Sequence, residues 1–230
     1  RGYTYRQDGF TFDGGPTIVT VPELFEELWT LCGKTMSDDV DLRLMTPFYR
    51  IRFNDGRIFD YSGEKSENLR QIRDYNPADA EGYERYLKAS EARHKVGFAL
   101  LDKPFSSLTQ LMRFAPDLVR LRGDQSVYTL VSKYIKNEQL RQAVSFHPLL
   151  IGGNPCTASS LYSLISHLEV TGGVWSAMGG TGRIVEALGE LIIGQGSNIR
   201  FNAEVDQITT SSGKVTGVRL KSGEYIKANL

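Results

Sequence analysis

The spacing of apolar residues changes period along this chain, and that change limits the folds open to it. Phe48–Phe53 and Ile58–Tyr61 alternate apolar and polar side chains around an Asp55-Gly56 turn, which predicts a β-hairpin near residues 48–61. From Asn76 to about His147 the spacing becomes helical. Strand-like alternation then returns towards the end of the chain. The pattern therefore predicts an α+β fold, with strand-rich ends around a helical middle.

Local signals at the two ends predict individual elements. Thr20, Pro22 and Glu23 have the spacing of a helix start, with Thr20 as the N-cap. The residues that follow form an apolar stripe of the kind that faces a core: Leu24, Phe25, Leu28 and Leu31. At the other end, four segments are predicted as strands, beginning with Asn198–Phe201 and Ala203–Thr209.

Charge and cysteine content argue against several classes of function. The 230 residues carry 27 Lys plus Arg and 27 Asp plus Glu, so the sequence predicts no nucleic-acid partner. Cys32 and Cys156 stand far apart without a CxxC or His-rich motif, which predicts no disulfide framework and no metal site and fits a reducing compartment. The longest apolar runs are far shorter than the roughly 20 residues that cross a bilayer.

Two glycine-rich segments are candidates for contact with a ligand. Gly14-Gly15-Pro16 follows a predicted strand, and Gly179-Gly180-Thr181-Gly182 precedes a predicted helix. Consecutive glycines let backbone N–H groups face a ligand, and a helix N-terminus favours negative charge. Neither segment has the GxGxxG dinucleotide fingerprint. A tight turn therefore explains each segment as well as a ligand cradle does.

The catalytic motifs of common hydrolases are absent: the sequence has no GxSxG, HExxH or GxxxxGK[ST]. Among the three histidines, His147 stands out because it precedes the Gly152-Gly153 loop, although a single histidine is more often structural than catalytic. Tyr162 and Trp175 fit either an apolar cavity or an ordinary core.

Six segments, in this order, resemble those of bacterial-type phytoene desaturases, which are FAD-dependent carotenoid desaturases of the flavin amine oxidase-like superfamily. They are Gly9–Thr17, Thr46–Arg50, Asn76-Pro77 with Glu81–Tyr83, Leu140–Ala143 with Ser145–His147, Gly152–Pro155 and Gly179–Gly182. The resemblance covers nearly the whole chain and implies an FAD/NAD(P)-binding, Rossmann-like flavoprotein of which this is an internal piece. The family's GxGxxG unit would precede Arg1, and a further flavin-binding segment would follow Leu230.

The resemblance also implies where FAD would bind. Arg1 would face the FAD phosphates or ribose, and Val205 would lie beside the adenine. Two segments would pass close to the flavin ring: Gly14, Gly15, Pro16 and Thr17 in the first, and Gly179 with Gly180 in the second. In domain terms, residues 1–20 and 179–230 would belong to the FAD-binding domain. Residues 21–178 would form the substrate-binding, helical region.

The substrate that the resemblance implies is phytoene, a hydrocarbon without polar groups. The candidate channel residues are Phe146, Asn154, Pro155, Tyr162 and Trp175. Some relatives carry an acidic residue shortly after the position of Phe105, where this chain has Leu108-Thr109-Gln110. His147 and Glu138 are therefore the alternative candidates for a catalytic base.

The implied reaction is desaturation of phytoene to more conjugated carotenes, such as neurosporene or lycopene, by hydride transfer to the flavin. Two alternatives stay open: a related carotenoid flavoenzyme (a C30 desaturase, a terminal oxidase or an isomerase), and a non-catalytic carrier of apolar ligands. The helical middle mixes basic and apolar residues, a pattern that by itself favours the solvated face of an ordinary helical domain; the resemblance implies instead a peripheral protein on the cytoplasmic side of a membrane.

Overall fold

The computed structural model describes residues 3–99, 112, 116 and 119–228, and the chain forms two compact units, Arg1–Ile184 and Val185–Leu230. In the first unit, three antiparallel strand pairs are present. Strand β1 (Tyr3–Gln7) pairs with β2 (Phe10–Gly14), and β3 (Leu42–Leu44) pairs with a strand much later in the chain. The predicted hairpin is present as β4 (Tyr49–Arg52) and β5 (Ile58–Tyr61).

The helices of the first unit whose bounds the structure describes lie before and after this hairpin. They are α1 (Pro22–Leu31), α2 (Lys65–Tyr75), α3 (Asp79–Phe98), α4 (Val127–Ser132), α5 (Glu138–Ser145) and α6 (Leu164–Gly172). Short 3-10 helices cover Met36–Asp38, His147–Ile151 and Ser160–Ser163. Asn137 caps α5 through its side chain, which accepts from the Leu140 N–H at 3.1 Å.

Aromatic side chains dominate the core of the first unit. Phe59 and Tyr61 of the hairpin pack with Ile72 of α2 and with Tyr83 and Tyr86 of α3, and all five are fully buried. Each such side chain contributes about 1.5–3 kcal/mol through removal of apolar surface from water. The hairpin is thereby fixed against the helices, which places Tyr49 and Phe48 at the edge of the core.

The strand that pairs with β3 is β6 (Trp175–Ala177), and it leads through a short loop into α7 (Thr181–Gly194). Val19 forms a bridge with Trp175, with N–H to O distances of 2.8 Å in both directions. The segment after Pro16, the strand β3 and the strand β6 are thus held side by side.

The second unit contains a three-stranded antiparallel meander of β7 (Val205–Ser211), β8 (Lys214–Leu220) and β9 (Tyr225–Lys227). The turn between the first two strands has Ser212 at φ 51° and Gly213 at φ 76°. Two successive positive φ values are typical of a type I′ hairpin turn, which matches the twist of paired strands.

Three predictions about the chain ends were wrong. Val21, without a side-chain bond, occupies the cap position in place of Thr20. The leucine stripe faces solvent, with Leu31 76% exposed, because α1 instead buries Trp29, whose indole N–H donates to Asp39 at 2.8 Å. Residues 198–201 form no strand, since the chain turns at Asn202 with φ 55°. Within the residues that the structure describes, no helix is both long and apolar enough to cross a bilayer.

Candidate functional site

The two glycine-rich segments lie next to each other in the first unit. Gly179 and Gly180 have φ 86° and 84°, the left-handed conformation that glycine adopts without strain. The side chain of Thr181, at the start of α7, donates to the carbonyl of Pro16 at 2.7 Å. Gly15, Pro16, Thr17 and Gly179 are exposed. The sequence therefore identified two segments that the fold joins into one accessible backbone surface.

The first hairpin closes on this loop because the glycines lack side chains. A Cβ on Gly180 would lie 2.1 Å from a carboxylate oxygen of Asp13, and a Cβ on Gly182 would lie 2.4 Å from the hydroxyl of Thr4. That hydroxyl donates to the Asp13 carboxylate at 3.1 Å. Asp13 is thus held against the glycine loop, close to the positive end of α7.

The chemistry of this surface fits one part of FAD better than another. Exposed glycine backbone admits a flat ring at close range, and the Asp13 carboxylate accepts hydrogen bonds from ring N–H or hydroxyl groups. The same carboxylate repels phosphate. The residues present therefore suit the flavin ring or its hydroxyl-bearing chain, and the pyrophosphate would need partners elsewhere.

Val205 and Arg1 are the two other residues predicted to contact FAD. Val205 begins β7 in the second unit and is 48% exposed. Arg1 lies outside the described residues. The roles predicted for these two residues stay predictions.

His147 lies at the centre of a buried hydrogen-bond network. Its Nε2 is 3.0 Å from a carboxylate oxygen of Glu169, and its Nδ1 is 3.3 Å from the hydroxyl of Ser166. The other oxygen of Glu169 accepts from the hydroxyl of Tyr49 at 2.7 Å. The hydroxyl of Tyr86 lies 2.8 Å from that of Ser166. His147, Glu169, Ser166 and Tyr86 are all fully buried.

One arrangement of hydrogens satisfies the whole network. Burial raises the pKa of Tyr49 far above its ordinary 10, as does the carboxylate beside it, so the phenol stays a donor. Burial also raises the pKa of Tyr86, so its hydroxyl keeps its proton and is able to donate to Ser166. Ser166 donates to Nδ1 of His147, and Nε2–H donates to Glu169. In this arrangement both oxygens of Glu169 accept a hydrogen bond, and both ring nitrogens of His147 have partners.

Glu138, the second candidate base, lies in a different setting. It is the first residue of α5, and its side chain is 60% exposed. The hydroxyl of Tyr128 donates to both of its carboxylate oxygens, at 2.7 and 2.8 Å, and Arg141 lies 3.6 Å away. No contact between Glu138 and His147 is among those that the structure gives for the described residues. A role of either residue as base stays a prediction; the Leu108–Gln110 segment lies outside the described residues.

The five predicted channel residues lie in different settings within the described part of the chain. The ring of Phe146 packs edge-on against Tyr49, with centroids 4.9 Å apart. Asn154 is exposed, and its side chain accepts from the N–H of Cys156 at 2.9 Å. Pro155 is half-buried and accepts a backbone bond from Tyr128, while Tyr162 is 40% exposed.

Trp175 is the channel candidate that lines a cavity, which has a volume of about 350 Å³. Sequence reasoning did not single out Leu44, Met45 and Phe48, which share this cavity. It also missed Asp13 and Glu169. Asp13 could have been identified from its position directly before Gly14-Gly15. Nothing near Glu169 in the sequence indicates that this residue is buried.

Comparison with known proteins gives a consistent result. The profile of the family described as flavin containing amine oxidoreductase matches residues 1–229. The chain is 43% identical over 224 residues to the lycopene-forming phytoene desaturase of Pantoea ananas, which covers 97% of this chain and 46% of that protein. It is 42% identical over 231 residues to the neurosporene-forming phytoene desaturase of Cereibacter sphaeroides, covering 100% of this chain and 45% of that protein.

A solved structure of a putrescine oxidase double mutant, redesigned in its cofactor binding, aligns with a TM-score of 0.53. It is 15% identical in sequence, and the alignment covers 100% of this chain and 48% of that one, so it supports the fold alone. The chain thus spans about half the length of its matches. The predicted resemblance to this family and the α+β flavoprotein fold are confirmed.

Proposed function

Because the chain belongs to the flavin containing amine oxidoreductase family, we propose that it forms part of an FAD-dependent desaturase that converts phytoene to more conjugated carotenes, such as neurosporene or lycopene. The observation that carries the proposal is the joining of the two glycine segments through Thr181 and Pro16. The names of the relatives at 41–44% identity support phytoene as substrate. A C30 desaturase is a weaker alternative, since the 4,4'-diapophytoene desaturase of Methylomonas is 26% identical.

When bound, FAD supplies the hydride acceptor for this class of reaction. The residues of this chain would hold the flavin ring and the substrate in position. The exposed backbone at Gly15 and Gly179 would admit the ring, and the Asp13 carboxylate would accept a hydrogen bond from it. Since the hydrocarbon offers no polar handle, its orientation depends on apolar walls such as those around Trp175.

We also propose that the protein attaches peripherally to the cytoplasmic side of a membrane. Three consecutive apolar residues support attachment: Leu149, Leu150 and Ile151 are 59%, 42% and 58% exposed on a short 3-10 helix. Apolar side chains on a projecting segment favour the boundary between lipid headgroups and acyl chains. Cys32 and Cys156 form no disulfide in the described part of the chain, which suits a reducing compartment.

Flotation with lipid vesicles tests this attachment. We expect the full-length protein to float with the vesicles, and replacement of Leu149, Leu150 and Ile151 by serine to leave most of it in the dense fraction. A matched variant with serine at Leu24, Leu28 and Leu31, which are also exposed, controls for the loss of surface leucines. Equal flotation of the first variant and the parent would refute a role of this segment.

Expression in cells that accumulate phytoene tests the desaturase activity. The full-length protein is expected to give extracts with the visible absorption bands of conjugated polyenes, and the band positions report the number of double bonds added. An extract that stays colourless, although the cells contain soluble flavin-loaded protein, would contradict the proposed substrate. The same assay with the C30 precursor would then test the alternative.

A further inference from the structure

The cavity beside Trp175 is walled by apolar side chains. Leu44, Met45, Phe48, Val170 and Trp175 line it, and its volume of about 350 Å³ falls within the range of small-molecule sites. Leu44 is 53% exposed and Met45 is 37% exposed. Two large apolar side chains are therefore exposed to solvent beside a space that an apolar ligand would fill.

Three of the polar groups around the cavity already have partners in the protein. The indole N–H of Trp175 donates to the carbonyl of Gly172 at 2.8 Å. The hydroxyl of Ser62 accepts from the N–H of Glu64 at 3.1 Å, and that of Thr171 donates to a carbonyl of its own helix at 2.8 Å. A polar ligand would lose its water without gaining these bonds. The exposed carboxylate of Glu64 further disfavours an anionic ligand, so the cavity suits an uncharged hydrocarbon.

Two glycines give the wall side chains their positions. Gly173 has φ 81°, and a Cβ there would lie 2.5 Å from the side chain of Leu44. A Cβ on Gly63 would lie 2.6 Å from the ring of Phe48. A larger residue at either position would push a wall side chain into the cavity. The cavity therefore depends on the absence of side chains at two separate points.

The cavity and the glycine loop lie at opposite ends of one strand. Trp175 begins β6, and beyond Ala177 the backbone of Met178 bonds to Asp41 before the chain enters the loop at Gly179. Three residues of strand span about 10 Å. A long ligand that follows this strand would have its end in the cavity and its body directed towards the loop.

We propose that this cavity holds one end of an uncharged, methyl-branched hydrocarbon chain and so sets how far the substrate advances past the glycine loops. The inference rests on the proposed function. Relatives that are 41–44% identical to this chain carry the names of lycopene-forming and neurosporene-forming enzymes, which differ in the number of double bonds they introduce. A stop for the chain end is a physical means of fixing that number.

Fluorescence quenching tests binding without reference to activity. Citronellyl bromide is the probe, because it has a methyl-branched chain and its bromine quenches a nearby indole. We expect it to quench the full-length protein, Trp175→Phe to remove that quenching, and Val170→Phe to raise the required concentration about tenfold. Leu31→Phe, on an exposed face away from the cavity, is the matched control and should leave quenching unchanged. Citronellate, the matching carboxylate, should not compete.

The products of the enzyme provide the second readout. Val170→Phe should shift the carotenes towards fewer double bonds, and Met45→Ala, which enlarges the cavity, should shift them towards more. Met45→Ala also keeps the test decisive if Val170→Phe fails to fold. Desaturation with unchanged products and quenching in both variants would overturn this inference and leave the proposed function standing. Probe binding in the cavity of a protein that desaturates nothing would instead overturn the proposed function.

Discussion

The buried network around Glu169 should contribute more to the free energy of unfolding than the exposed contacts of Glu138. Glu169→Leu leaves the Tyr49 hydroxyl and the Nε2–H of His147 without their acceptor, at positions 2.7 and 3.0 Å from the lost oxygens. Each buried donor left without an acceptor costs about 1–3 kcal/mol, so the two together should cost about 2–6 kcal/mol. Glu169→Gln keeps an acceptor of the same shape and should cost about 1–2 kcal/mol. Glu138→Leu, on a carboxylate whose side chain is 60% exposed, should cost less than about 1 kcal/mol.

Urea unfolding followed by tryptophan fluorescence measures these differences in the first unit, because both tryptophans of the chain, Trp29 and Trp175, lie in it. A double-mutant cycle with His147→Leu should give a coupling free energy of about 2 kcal/mol with Glu169→Leu, since either single variant leaves its partner unpaired. The network does not stabilise the fold as described if Glu169→Leu lowers the free energy of unfolding no more than Glu138→Leu. The same holds if the effects of Glu169→Leu and His147→Leu are additive.

Further predictions concern the glycine loop and a histidine pair. Gly180→Ala should lower the flavin content of the purified full-length protein, because the new Cβ displaces Asp13; Gly196→Ala, with nearly the same φ of 79° but open space around it, should not. Equal flavin loss in the two variants would show that backbone strain alone is responsible. Burial lowers the pKa of His94 below its ordinary value of 6.5, and the imidazole of His167, with ring centroids 4.9 Å apart, lowers it further. The unfolded chain therefore binds more protons, so stability is full above pH 6.5 and falls as the pH decreases through that value. His167→Gln should reduce this fall in urea titrations across that range, and an unchanged pH dependence would contradict the assignment.

Turns and their strands could be predicted because their chemistry is local. Asp55-Gly56 places a glycine, which is suited to positive φ, between alternating segments, and this hairpin formed as expected. The prediction that the leucine stripe of α1 faces the core was wrong for a different reason. Periodicity shows that a helix has an apolar face, but which face is buried depends on its tertiary contacts, here those of Trp29.

The candidate site likewise contains some parts that the sequence predicts and others that it does not. The glycine segments were recognisable because glycine runs have a direct effect on backbone conformation. The Tyr49–Glu169 bond joins residues 120 positions apart, and neither residue type is unusual in its local sequence. His147 was singled out by its position before a loop, yet both of its hydrogen-bond partners come from α6, which follows about twenty residues later. Long-range pairing of ordinary residues is therefore what local patterns could not supply.

Anaerobic addition of phytoene to the FAD-loaded full-length protein tests the central claim most directly. We expect flavin absorbance to bleach in step with the appearance of polyene bands, because each new double bond transfers one hydride to the flavin and releases one proton. Bound phytoene with unchanged flavin absorbance and no new bands would contradict the account and indicate a carrier of apolar ligands.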